Sequence, residues 1–238
     1  VKTITKHLLK RSGFVVKRVP PDAITGYDLA QDLKLIVAKR APVCIDVGAN
    51  RGQTIEYFQR AFREPRIHAF EPSGECFRVL KSKDFGGDVS PYNVALGEDD
   101  AKREFTNYEN PCLSSFLVFD DHQENRFRDM KVKRRETVQI KTLDWFVEHN
   151  GITRVDLLKI DTQGYDLRVL AGGSESFRNG SINSVLVELN FVRMYECQSN
   201  PDDIHDFLAQ YGLFLVDYYE KVRQSHTLAW CTALFAKR

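Results

Sequence analysis

The sequence predicts an α/β fold built on a mostly parallel sheet with helices on both faces. Two observations carry that expectation. Residues 43–47 (VCIDV), 66–70 (RIHAF), 155–160 (VDLLKI) and 184–189 (SVLVEL) are short, apolar or β-branched, and mostly lack polar alternation, as strands covered on both sides do. Segments of helical period separate and follow them, which is βαβ winding. With 238 residues the chain can bury one substantial core and is short for two. We therefore expect one domain over 41–238, with residues 1–40 as a helical or extended segment packed on it.

In order, 27–40 reads as a helix through Leu29, Leu33 and Val37, and 53–62 through Ile55, Phe58 and Phe62. The stretch "PSGECFRVLKSK" follows with Phe77 and Leu80 on one side, and helical patterns recur at 142–149, 165–171 and 202–211. Near the end, "LFLVDYY" and "LAWCTALFA" read as two strands forming an antiparallel hairpin edge. Residues 99–135 show no clean period. So long an irregular run in a compact domain is usually functional, and we read it as a partly ordered lid over a site.

Composition narrows the function classes. Lys and Arg total 34 against 33 Asp and Glu, a net charge of +1 that offers no global attraction to nucleic acid or an anionic membrane. The basic run "KVKRR" at 131–135 reads as a solvated face, so no nucleic-acid partner is expected. Five cysteines, at 44, 76, 112, 197 and 231, are odd in number and form no C-x-x-C pair, which argues against a disulfide framework or zinc site and for a reducing cytoplasm. The six histidines have no ligand spacing, so no metal is expected; His122 in "DDHQEN" is the one placed to touch an acceptor from the lid. No apolar run is long enough to span a bilayer, and the opening "VKTITKHLLKRSGF" lacks the apolar stretch of a signal peptide and reads as a packed helix, so no stable membrane insertion is expected. The sequence is silent on oligomeric state.

Four of the expected strands end at or beside an acid: Asp46, Glu71, Asp161 and Glu188. Ligands of open α/β sheets bind outside the carboxyl ends of the strands, so these side chains should meet in one crevice. A capping role is the simpler explanation for a single acid, but Asp46 lies too far before the helix that starts near Gly52 or Gln53 to cap it. Lys159, one pleat before Asp161, is expected to point away. The loop itself reads G-x-N-x-G, with Gly48, Asn50 and Gly52 suited to a tight left-handed turn and close approach of a ligand. A dinucleotide site would carry a third glycine, which is missing, while Glu71 stands 23 residues after Gly48, where an acid accepts hydrogen bonds from ribose hydroxyls. The site suggests an adenosine without pyrophosphate.

At these residues the chain resembles the S-adenosylmethionine-dependent methyltransferases of the Rossmann-like class, and within them the FkbM family. The blocks "IDVGANRGQT", "FEPSGECFRVL", "NVALGEDD", "KTLDWF", "LLKIDTQGYDLRVLAGG", "VLVELNFVRMYE" and "ALFAKR" occur in that family's order over roughly 40–238. The resemblance implies a class I methyltransferase fold, a mostly parallel seven-stranded sheet with an antiparallel C-terminal edge. It places Asp46, Gly48 and Asn50 along the methionine end of S-adenosyl-L-methionine, Glu71 on its ribose, and Asn93 or Ala95 near the adenine, with Gly52, Thr54 and Asp161 completing the cofactor set. Many relatives carry glutamate where Gln163 and Asp166 stand, and no role is assigned to 163.

A carboxylate cluster suits a sulfonium cation and repels phosphate. Methyl transfer to a hydroxyl needs the acceptor held in line and a general base for its proton. Asp161 is the first candidate for that base and Glu188 the second; the competing role for Asp161 is a structural contact with the Gly164 turn. The expectation is transfer of a methyl group to oxygen, with a sugar hydroxyl of a glycan or related small molecule as acceptor. Two alternatives stand beside it: a nicotinamide-dependent oxidoreductase, and a cofactor-binding module that acts through 99–135 on a partner. Tyr195, Phe191, Trp230 and Tyr218 offer stacking faces for sugars, although most aromatics fill the core.

Overall fold

The computed structural model describes residues 25–120 and 130–237. His122 and the amphipathic opening lie outside the described residues. Helix α1 (Leu29–Val37) precedes β1 (Val43–Val47), α2 (Gln53–Ala61), β2 (Arg66–Phe70), α3 (Gly74–Ser82) and β3 (Asp88–Tyr92). Short β4 (Ala95–Leu96), β5 (Ala101–Tyr108), a 3-10 turn (Pro111–Leu113) and β6 (Val132–Lys141) follow. Then come α4 (Leu143–His149), β7 (Leu157–Ile160), α5 (Asp166–Ala171), α6 (Ser174–Arg178), β8 (Ser184–Asn190), α7 (Pro201–Gln210), β9 (Leu213–Gln224) and β10 (Thr227–Lys237).

The main sheet has seven strands in the order β3-β2-β1-β7-β8-β10-β9. Strands β3, β2, β1, β7 and β8 pair in parallel, and β10 runs antiparallel to both β8 and β9. This is the mostly parallel sheet with an antiparallel C-terminal edge that the sequence predicts. The chain winds outward from β1 to β3 and then returns to β7 on the other side of β1. The crevice of this open sheet therefore falls between the carboxyl ends of β1 and β7.

Alternation along the strands divides the core in two. Ile45, Phe70, Leu158, Ile160, Val185 and Val187 pack with α4 to α7. Cys44, Ile67, Leu157 and Leu186 pack with Leu33 of α1, Ile55 and Phe58 of α2, and Leu80 of α3. The three-residue and four-residue spacing of Ile55, Phe58 and Phe62 thus buries one face of α2, and each fully buried large side chain contributes about 1.5–3 kcal/mol. The helix starts from Gly52, which holds φ 91°, and a Cβ there would meet the Phe85 ring at 2.3 Å. Ser73, Thr142 and Asn200 cap α3, α4 and α7 with side-chain oxygens that accept backbone N–H groups.

The segment expected to be irregular is partly regular. Its ends are β5 and β6, antiparallel to one another, with β4 pairing β6 in a second, three-stranded sheet. Charges conceal these strands in the sequence: Glu104, Arg135 and Lys133 sit on exposed positions and pair across the surface, Arg135 with Glu104 and Lys133 with Glu75. After β5 the 3-10 turn brings Asn110 to Ser114 toward the ends of β1 and β7.

Candidate active site

A cavity of about 370 Å³ opens at the carboxyl ends of the parallel strands. The β1–α2 loop supplies Gly48 and Asn50, β2 leads into Glu71, β4 supplies Ala95, and Asp161 and Glu188 come from the ends of β7 and β8. Gly48 has φ 85°, and a Cβ there would stand 2.0 Å from the Asp161 carbonyl oxygen, so only glycine lets the loop lie against the end of β7. Glu71 is buried and locked: one carboxylate oxygen accepts from the Asn50 N–H at 2.7 Å and the other from the Ser73 N–H at 2.8 Å. Burial lifts its pKa to about 7 against the pull of those two donors.

Two predicted carboxylates meet through a residue to which the sequence assigns no role. The Gln163 Nε2 donates to Asp161 Oδ1 at 2.8 Å and to Glu188 Oε2 at 3.0 Å. Gln163 occupies the left-handed region at φ 54°, and its Oε1 accepts from the buried Tyr195 hydroxyl at 3.2 Å. That hydroxyl also lies 2.8 Å from the Leu113 carbonyl, which ties the carboxylate bridge to the 3-10 turn above it. Burial, reinforced by Asp161 and Asp166, holds the Glu188 pKa well above the ordinary carboxylate range. The structural contact considered for Asp161 belongs to Asp166 instead. Its Oδ1 accepts from Thr162 N–H at 2.9 Å and its Oδ2 from Gly164 N–H at 3.1 Å, so Asp166 braces the turn and leaves Asp161 facing the cavity.

Four expectations need correction. Asp46 does not line the cavity. It is fully buried beneath it, with the Lys159 ammonium 3.1 Å from Oδ1. Lys159 does not point away: its register opposite Asp46 puts both on one face of the β1/β7 pair, and its side chain lines the cavity. Its Nζ donates to the Gly48 carbonyl at 3.3 Å and stands 3.7 Å from Asp161 Oδ2. Burial opposes the Lys159 charge, but Asp46, Asp161 and Glu188 outweigh it and raise its pKa above the usual lysine value. The negative excess of the site is thus smaller than four carboxylates imply. Asn93 also lies off the cavity wall, where its Nδ2 clamps the Glu71 and Pro72 carbonyls, while Ala95 faces the cavity. Gly52 serves the helix start, and Thr54 lines the cavity.

Sequence reading missed Lys159, Gln163 and Asn190 as residues that line the cavity. Lys159 had a signal: a lysine inside the apolar strand "LLKI" needs a buried partner, and Asp46 inside "VCIDV" is its complement. The residues present fit an adenosyl ligand with an amino-acid tail. Glu71 is held rigidly on the wall, and Oδ1 of Asn50 and of Asn190 are buried acceptors without a donor, in side chains that line the cavity. Among the described residues no His, Cys, Asp and Glu group is placed to hold a metal, and no helix is long and apolar enough to cross a membrane.

Residues 46–214 match the family model described as the methyltransferase FkbM domain. The chain is 29% identical to Methyltransferase sdnD of Sordaria araneosa, over 56% of this chain and 61% of that protein. It is also 29% identical to Methyltransferase 1 of Beauveria bassiana, over 61% of this chain and 63% of that protein. The chain thus spans about six-tenths of the length of these curated relatives. The 2-O-methyltransferase NoeI of Sinorhizobium fredii is 21% identical over 75% of each chain. Among solved structures, magnesium protoporphyrin IX methyltransferase of Synechocystis PCC 6803 with bound SAM aligns over 100% of this chain and 97% of its own, at 10% identity and a TM-score of 0.46.

Proposed function

This chain belongs to the FkbM methyltransferase family, and from that premise we propose that it transfers a methyl group from S-adenosyl-L-methionine to a hydroxyl oxygen, with a sugar or related polyol as acceptor. The observation that carries the reading is the pair Asp161 and Glu188, joined by the Gln163 amide on the wall of the cavity that Gly48, Asn50 and Glu71 also line. The name of the Sinorhizobium fredii relative, a 2-O-methyltransferase, supports oxygen as the atom methylated.

When bound, S-adenosylmethionine supplies a methyl carbon already activated on a sulfonium. Glu71 would accept the ribose hydroxyls, and Asn50 would offer its unpartnered Oδ1 to a donor of the amino-acid end. Asp161 and Glu188 would orient the acceptor hydroxyl, and Asp161 would take its proton as the hydroxyl oxygen replaces the sulfur on the methyl carbon and the thioether departs, a contribution of about 10²–10⁴ in rate. Gln163 donates to both carboxylates and keeps them side by side, while Lys159 balances the charge of Asp46 beneath them.

Single-turnover kinetics test the base. Asp161→Asn is expected to slow the chemical step by at least a hundredfold with cofactor affinity changed less than threefold. If Asp161→Asn keeps the wild-type rate and Glu188→Gln loses it, the base is Glu188. The nicotinamide alternative fails on the same sample if S-adenosylhomocysteine raises the melting midpoint and NADH does not, because only a ligand of the folded state stabilises it. The competing module reading requires cofactor binding with no transfer to any of a broad panel of glycans and alcohols.

A further inference from the structure

We propose that a second cavity, on the α1/α2 face of the sheet, is the acceptor subsite and takes a neutral polyhydroxylated ligand, with Glu220 as a ligand-binding residue. This rests on the methyl-transfer reading above. The second cavity measures about 280 Å³. Gln53, Thr54, Lys159, Asp161 and Glu188 line it as well as the first cavity, so the two carboxylates form a wall common to both spaces. A hydroxyl reaching that wall from the second side meets both Asp161 and Glu188.

The far side of the second cavity is built by a strand irregularity. Thr232 of β10 stands directly opposite Glu188 of β8, so both project from one face. Tyr219 of β9 pairs with Thr232 on that same face. In a regular strand the next residue, Glu220, would project from the opposite face. The β9/β10 register shifts between Trp230 and Thr232, and Glu220 holds φ 49° in the left-handed region. The bulge turns the Glu220 carboxylate back so that its Oε2 accepts from Thr232 Oγ1 at 3.2 Å, and Glu220 lines the cavity. Non-glycine residues seldom adopt this conformation, and bulges beside sites re-aim side chains in this way.

The lining selects the ligand. Glu188, Glu220 and Thr232 present acceptor oxygens to hydroxyl protons, and Arg60 and the Tyr57 phenol present donors. Burial, with Glu220 and Asp28 nearby, pushes the Tyr57 pKa up to about 12, so it keeps its proton at neutral pH. The carboxylates of Asp161, Glu188 and Glu220 face two cations, Arg60 and Lys159, so the lining carries no cationic excess to hold a phosphate or carboxylate ligand. A sugar hydroxyl array satisfies both the acceptors and the donors.

The test titrates methyl α-D-mannopyranoside, methyl α-L-fucopyranoside and methyl α-L-rhamnopyranoside into protein loaded with S-adenosylhomocysteine. Saturation-transfer NMR reads glycoside contact and calorimetry reads affinity. At least one glycoside is expected to bind the wild type, and to bind Glu220→Ala and Thr232→Val at least tenfold more weakly, with S-adenosylhomocysteine affinity within twofold. Glu220→Gly relieves the left-handed backbone and is expected to hold or raise the melting midpoint while losing the glycoside as Glu220→Ala does. Absence of contact by all three glycosides, equal affinity in the variants, or weakening of S-adenosylhomocysteine instead of the glycoside overturns the assignment. Failure of S-adenosylhomocysteine to bind the wild type defeats the methyl-transfer reading itself, and this inference with it.

Discussion

Lys159 and Asp46 show how a buried charge pair shapes this site. Each stands alone in an apolar strand, and the parallel register of β1 and β7 places one against the other. Removing one partner leaves the other charge buried without compensation, which is strongly destabilising. Lys159→Met is therefore expected to lower stability by about 3–5 kcal/mol, read from urea midpoints, and the double variant with Asp46→Asn to lose less than the sum of the single losses. Glu71 gives a pH signature. Its pKa rises from 4.5 to about 7 in the folded protein, so the folded state holds this proton more tightly than the unfolded chain. The associated stability is complete below the ordinary glutamate range and is lost as pH rises from about 4.5 to about 7, by about 3 kcal/mol. Asp166, raised by burial to about 6, and Glu188 act with the same sign. Glu71→Gln is expected to make the fall of the urea midpoint between pH 4.5 and 7 shallower; an unchanged slope would show that Glu71 titrates normally. The acids at the strand ends were legible because strand ends are legible. The depth of Asp46 and the inward turn of Lys159 were not, because both depend on which face of β1 and β7 each occupies, and a continuous apolar run does not mark its faces.

Secondary-structure elements were legible in proportion to their burial. Strands β1, β2, β7 and β8 stand out as apolar runs, and β9 and β10 as the closing pair. Strand β3 (DVSPY) was missed: it carries Pro91 and no apolar run, and Pro is tolerated there because β3 is the sheet's edge. Strands β5 and β6 were missed because one face is open to water and carries charge. Helix α1 is anchored by a residue whose partner lies far along the chain: Asp32 Oδ2 accepts from the Tyr219 hydroxyl at 2.5 Å and from the Gly26 N–H at 2.7 Å. A hydrogen bond to a charged group is worth about 1.5–3 kcal/mol, so Tyr219→Phe is expected to lose that much stability and to speed hydrogen exchange in α1. Exchange in α1 equal to wild type would place its anchor in the Leu33 and Val37 packing alone.

At the scale of the molecule, one sheet supplies a switch point and every element near it contributes to the same crevice. The β1 loop, the end of β2 and the ends of β7 and β8 converge because the chain winds outward from β1 and returns beside it. The second sheet adds the 3-10 turn, tied through Tyr195 and Gln163 to the carboxylate pair. Glu71 is held by backbone donors on both oxygens, and on the proposed reading it is the fixed point of the nucleoside end. Calorimetric titration of S-adenosylhomocysteine into the wild type and Glu71→Ala is the most direct test. One molecule is expected to bind per wild-type chain, at least tenfold more tightly than to Glu71→Ala at matched pH. Equal affinity in the two proteins, or no binding to the wild type, would contradict the placement of the adenosyl donor in this crevice.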